Sequence, residues 1–121
     1  MHAAPLTVDT LPGRREGTTV LRLTGPLTLG NLSSFQSCLR TLDAPRLILD
    51  MTRVEYIDSA GLGALVNGFV AAEKNGRAFL LAGVNARVLT LLELTRVHTV
   101  LKLYPGVREA ESAPAGGWRH F

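Results

Sequence analysis

Tyr56-Ile57-Asp58-Ser59-Ala60-Gly61-Leu62-Gly63-Ala64-Leu65-Val66 places a polar Asp-Ser pair between an apolar run and an apolar-periodic one. Upstream, Leu47-Ile48-Leu49-Asp50-Met51 has the aliphatic density of a strand buried on both faces. Downstream, Leu62, Leu65, Val66, Phe69 and Val70 fall at the i, i+3, i+4, i+7, i+8 spacing of a core-facing helix. The pair therefore marks a strand-to-helix junction, with Asp58 and Ser59 at helix-entry positions. A side-chain oxygen there accepts from first-turn N–H groups that have no partner within the helix. Gly61 and Gly63, lacking Cβ atoms, allow another surface to approach that turn closely.

Working outward, the helix from Ser59 runs to about Lys74, where Asn75-Gly76 supplies a left-handed stop. Ala78 to Gly83 reads as another buried strand. Asn85 caps a third helix that carries Val88, Leu91, Leu92 and Thr95 inward, and Val97 to Tyr104 reads as the last strand. On the other side, Thr18 to Gly25 alternates as a strand, and Leu6-Thr7-Val8 pairs with it through the turn between Pro12-Gly13 and Gly17. Gly30-Asn31 precedes an amphipathic helix with Leu32, Phe35, Leu39 and Leu42, which Pro45 closes from outside. The order β-β-α-β-α-β-α-β, with a short terminal helix over Val107 to Ser112, predicts an α/β fold: a mixed, mostly parallel sheet with helices packed on it. Residues 1–112 are read as one domain. Residues 113–121, with Pro114-Ala115-Gly116-Gly117 and the aromatic Trp118 and Phe121, are read as a disordered tail.

A chain of 121 residues with 46% apolar composition builds one ordinary core. No apolar run approaches the length needed to cross a bilayer, and Met1-His2-Ala3-Ala4-Pro5 lacks the layout of a signal peptide, so a soluble, cytoplasmic protein without membrane insertion is expected. The net charge of +3 is spread over scattered arginines and lysines on solvated faces, with only Arg14 and Arg15 adjacent. Nucleic-acid binding needs clustered bases interleaved with aromatics, and that pattern is missing. The lone Cys38 rules out a disulfide framework and reads as a small core hydrophobe.

Nucleophilic catalysis by Ser59 would need a general base, and the histidines are His2, His98 and His120, two of them in terminal segments. Gly61-Leu62-Gly63 lacks the lysine and spacing of a phosphate loop, and the acids show no metal-ligand spacing. The residues thus point to no enzyme, no cofactor and no metal. Two readings of Asp58-Ser59 stay open on these grounds. The pair is a helix cap, or Ser59 is a modification site, where a phosphoryl group would add about −1.5 to −2 charges at a helix N-terminus that tolerates them.

The stretch from Leu47-Ile48-Leu49-Asp50 through Val54 to Leu65 closely resembles the signature of the STAS domain, in particular of bacterial anti-sigma factor antagonists. Leu21 to Leu27 is similar to that family's second strand and Gly-x-Leu turn, and Val84 to Thr95 to its third helix, so the likeness extends over roughly Leu6 to Glu111. The resemblance implies a switch by partner exchange. The unmodified protein binds an anti-sigma factor that is also a serine kinase and thereby frees a sigma factor. Phosphorylation of the serine after the motif's aspartate, here Ser59, then dissociates the complex until a serine phosphatase restores it. By the same resemblance Asp58, Ser59, Ala60, Gly61 and Leu62, with Thr28 in the loop Leu27 to Gly30, form the docking surface. ATP is bound by the kinase, so this chain needs no cofactor. Many antagonists carry an aspartate where this chain has Thr28, and Ala60 replaces a frequent second serine or threonine. The likeness also admits two other roles: an unphosphorylated STAS subunit of an ABC-type phospholipid transporter, and a small-ligand or nucleotide sensor using the loop around Asp58.

Overall fold

The computed structural model describes residues 5–113. Strands β1 (Thr7–Pro12) and β2 (Thr18–Thr24) form a hairpin, followed by helix α1 (Ser33–Thr41), β3 (Arg46–Arg53), α2 (Ser59–Lys74), β4 (Ala78–Ala82), α3 (Ala86–Leu94), β5 (Lys102–Tyr104) and α4 (Val107–Glu111). The five strands lie in the order β1-β2-β3-β4-β5, with β1 antiparallel to β2 and the rest parallel. The chain is thus a single α/β domain with a mixed sheet, as the element order predicts.

Alternation along the central strands sends side chains to two cores. Leu21, Leu47, Leu49, Phe79 and Leu81 face α1, α2 and α3 in the larger one, whereas Val20, Ile48, Leu80 and Ala82 face Ala110 of α4 in the smaller. β3 is consequently buried on both faces, which is why its sequence carries no polar alternation. Cys38 is half-buried against the larger core.

Three expectations need correction. The first concerns α2, which buries Gly61, Ala64, Leu65, Phe69 and Ala72, while Val70 is 44% exposed. Its small residues set the contact: a Cβ on Gly68 would lie 3.0 Å from the Phe79 ring and 3.1 Å from Leu39, so α2 approaches the sheet on its Gly/Ala side. Periodicity weighted by large side chains therefore points to one side of the true interface.

The second concerns the end of α3. Val88 and Leu92 are buried and Leu91 half-buried, but Thr95 is exposed and donates its hydroxyl to the Leu91 carbonyl at 2.8 Å. Thr95 closes the helix instead of packing inward. The expected strand from Val97 contracts to Lys102–Tyr104, because Val97–Thr99 form a 3₁₀ turn in which the Val97 carbonyl accepts from Val100 and Leu101. The chain is still reversing direction there, with Arg96 in the left-handed region at φ 65. Alternating apolar residues imitate a strand that has not begun.

The third concerns the arginines. Arg46 is buried and donates through Nη2 to the carbonyls of Ala110 (2.7 Å) and Ala113 (2.8 Å), in the last turn of α4 and just past its end. Burial, then the neighbouring Arg15, lowers its pKa from the ordinary value. From the opposite side Glu111 accepts the Arg14 N–H at 2.8 Å, so two charged side chains fasten α4 to the sheet and to the hairpin turn. Of the tail predicted over 113–121, Ala113 is instead buried, its carbonyl accepting from Arg15 and Arg46, because it seals the end of α4 against the sheet; 114–121, with Trp118, His120 and Phe121, lie outside the described residues, as does His2.

Candidate functional site

Parallel strands deliver their following loops to one end of the sheet, the end that carries the Asp58-Ser59 junction. After β2 the chain runs through Leu27, which forms an isolated parallel bridge with Ile57. The Leu27 N–H donates to the Tyr56 carbonyl at 3.1 Å, and the Asp58 N–H donates to the Leu27 carbonyl at 3.3 Å. Loop 27–30 is thereby zipped to the entry of α2.

Asp58 completes the join. It is the N-cap of α2, in extended backbone, and its Oδ1 accepts the Gly61 N–H at 2.8 Å. Its Oδ2 accepts the Leu29 N–H at 3.0 Å. These bonds, Gly61 first and Leu29 second, hold the carboxyl pKa below its ordinary value, so Asp58 is ionised at neutral pH. Asn31 stiffens the same loop by accepting the Thr28 N–H and donating to the Pro26 carbonyl, both at 2.8 Å. On this pinned loop Leu29 is 75% exposed.

Ser59 is exposed as the first residue of α2, and its hydroxyl makes no hydrogen bond among the described residues. Capping falls to Asp58 alone. Ala60, Leu62 and Thr28 are half-buried around it. Gly61, expected on the docking surface, is buried: a Cβ there would strike the Leu27 carbonyl oxygen. The close approach that Gly61 permits is made by the chain's own loop. Gly63 has open space where its Cβ would stand.

Two further residues join this surface. Asn85 caps α3 by accepting the Val88 N–H at 2.8 Å, and its amide donates to the Glu55 carbonyl at 3.0 Å. The first turn of α3 is thus tied to the segment leading into Asp58. There the Arg87 guanidinium lies 4.9 Å from the centroid of the Tyr56 ring, which is 36% exposed. Arg87 and Tyr56 do not stand out as a pair in sequence, because their pairing depends on the tertiary reach of Asn85.

His98 sits in the 3₁₀ turn beyond the far end of α3, with Nδ1 3.3 Å from the Leu92 carbonyl. Among the described residues, no three His, Cys, Asp or Glu are grouped to hold a metal, and no helix is long and apolar enough to cross a membrane. A groove of about 610 Å³ runs between α1 and α2, floored by residues such as Leu47 and Phe79 and rimmed by the Arg77–Asp43 ion pair at 2.6 Å. It shares no lining residue with the Asp58-Ser59 surface. That surface is a platform with an exposed hydroxyl and an exposed leucine.

The family model for the STAS domain matches residues 13–110. The chain belongs to the STAS domain family. Among solved structures, this STAS domain superposes on an anti-sigma factor antagonist from Mycobacterium paratuberculosis with a TM-score of 0.79 and 21% identity, covering 92% of this chain and 97% of that one. A sulfate transporter family protein from Wolinella succinogenes gives a TM-score of 0.74 and 25% identity over 81% and 84% of the two chains. The anti-sigma-B factor antagonist of Listeria monocytogenes is 32% identical over 57 residues, or 47% of this chain. The matched region spans between 50% and 58% of the length of the curated relatives.

Proposed function

We propose that this STAS domain is an anti-sigma factor antagonist: it docks on an anti-sigma factor with serine-kinase activity and is released when that kinase phosphorylates Ser59. The observation that carries the reading is the separation of duties at the start of α2. Asp58 caps the helix and latches loop 27–30, while the neighbouring Ser59 hydroxyl is exposed and makes no hydrogen bond among the described residues. A phosphoryl group can therefore be added without breaking a structural bond. It adds about −1.5 to −2 charges at a helix N-terminus, where the macrodipole accommodates them. The fold persists while the docking face becomes strongly anionic beside the ionised Asp58, and a partner seated there is repelled.

The names of the similar proteins support the antagonist half of this reading, and the exposed Ser59 supports the phospho-switch. Thr28 contributes a hydroxyl to the platform edge but no charge. The likeness to the sulfate transporter family structure favours a second role, a STAS domain attached to a transporter without modification. Incubation with ATP and a candidate serine-kinase anti-sigma factor separates the two. The switch requires a single phosphate by intact-mass spectrometry, absent from Ser59→Ala; an unlabelled wild-type protein beside a labelled control antagonist removes it.

A further inference from the structure

We infer that the Arg87–Tyr56 stack is the second half of the docking platform and selects a partner that presents an acidic side chain there. This rests on the docking function proposed above and names the partner chemistry that the platform reads.

Arg87 is exposed, and it has no carboxylate within ion-pair distance among the described residues. The cation is nevertheless held in place, with its guanidinium 4.9 Å from the Tyr56 ring centroid on a helix turn that Asn85 bolts to the Glu55 carbonyl. A stacked guanidinium still offers its N–H edge, arranged for two-point contact with a carboxylate. Tyr56 is also continuous with the rest of the platform, because its carbonyl accepts the Leu27 N–H at 3.1 Å and Ser59 follows three residues later.

The platform thus presents three exposed features: Leu29 on its latched loop, the Ser59 hydroxyl and a stacked cation with no carboxylate partner among the described residues. Aromatic and arginine anchors whose ordering is completed before binding are the residues that dominate protein interfaces.

The test uses the full chain and the kinase identified by the labelling experiment, with Kd measured for wild type, Arg87→Glu and Arg87→Lys at two salt concentrations. Arg87→Glu is expected to weaken binding at least tenfold and to flatten the salt dependence, with unchanged thermal melting. Arg87→Lys, which keeps the charge but loses the fork and the stack, is expected to fall between. An Arg87→Glu protein that binds within twofold of wild type, or retains the wild-type salt dependence, overturns the inference and leaves the docking function standing. Failure of wild type to bind any kinase that labels a control antagonist overturns both.

Discussion

The carboxylate of Asp58 bridges two elements distant in sequence, accepting the Leu29 N–H at 3.0 Å with one oxygen while the other caps α2. A single side chain therefore sets both the start of the helix and the position of the exposed loop beside it.

Removing that bridge should cost more than a cap. Asp58→Ala is expected to lower stability by about 1–2 kcal/mol, the upper range for a lost N-cap, and to loosen loop 27–30 as well. Urea denaturation reads the first effect, and amide exchange at Leu29 reads the second. Because the folded-state pKa of Asp58 is lowered, its stabilisation is complete above the ordinary carboxyl pKa and is lost as pH falls through the folded value. Asp58→Asn should flatten that acid limb. An unchanged acid limb in the variant would show that other carboxyls account for it.

The two glycines of the motif should respond in opposite directions. Gly61→Ala drives a methyl into the Leu27 carbonyl and is expected to destabilise by about 1–3 kcal/mol. Gly63→Ala meets open space within the helix and should stabilise by about 0.5–1 kcal/mol. Thermal melting of the two variants side by side checks both signs.

A buried hydroxyl offers a third test. Thr18 Oγ1 and Arg46 Nε are buried without partners among the described residues, on residues opposite each other in the β2–β3 register. Thr18→Val keeps the shape and removes an unsatisfied polar atom, so it should be neutral or stabilising by about 1 kcal/mol. A loss of that size would mean that the hydroxyl has a partner in solution, such as a trapped water.

Strain at the end of α3 offers a fourth. Arg96 is the non-glycine residue with positive φ among the described residues, and Arg96→Gly should gain about 1 kcal/mol in chemical denaturation. No gain would mean that the arginine side chain offsets the left-handed backbone.

How far the sequence could be read depended on what each element uses to hold itself in place. β3 and the Ser59–Lys74 helix were legible because a doubly buried strand and a capped, glycine-stopped helix write their boundaries into adjacent residues. The face of α2 was legible only in part, at Leu65 and Phe69, since Gly61, Ala64, Gly68 and Ala72 complete its contact and weigh little in any hydrophobic pattern. The segment after Leu94 misled because Val97, Thr99 and Leu101 alternate while the backbone turns. At the site, Asp58 and Ser59 could be found locally, but their division into cap and free hydroxyl depended on Leu29 and Gly61 supplying the donors. Arg87 became visible only once Asn85 was seen to reach across to Glu55.

Isothermal titration of the cognate anti-sigma factor with the same preparation before and after stoichiometric phosphorylation at Ser59 tests the phospho-switch most directly. The account predicts an unchanged circular-dichroism spectrum and an affinity at least tenfold weaker after modification, a difference of about 1.4 kcal/mol or more. Ser59→Ala should bind like the unmodified protein. Equal affinity of the phosphorylated and unphosphorylated forms would contradict the account.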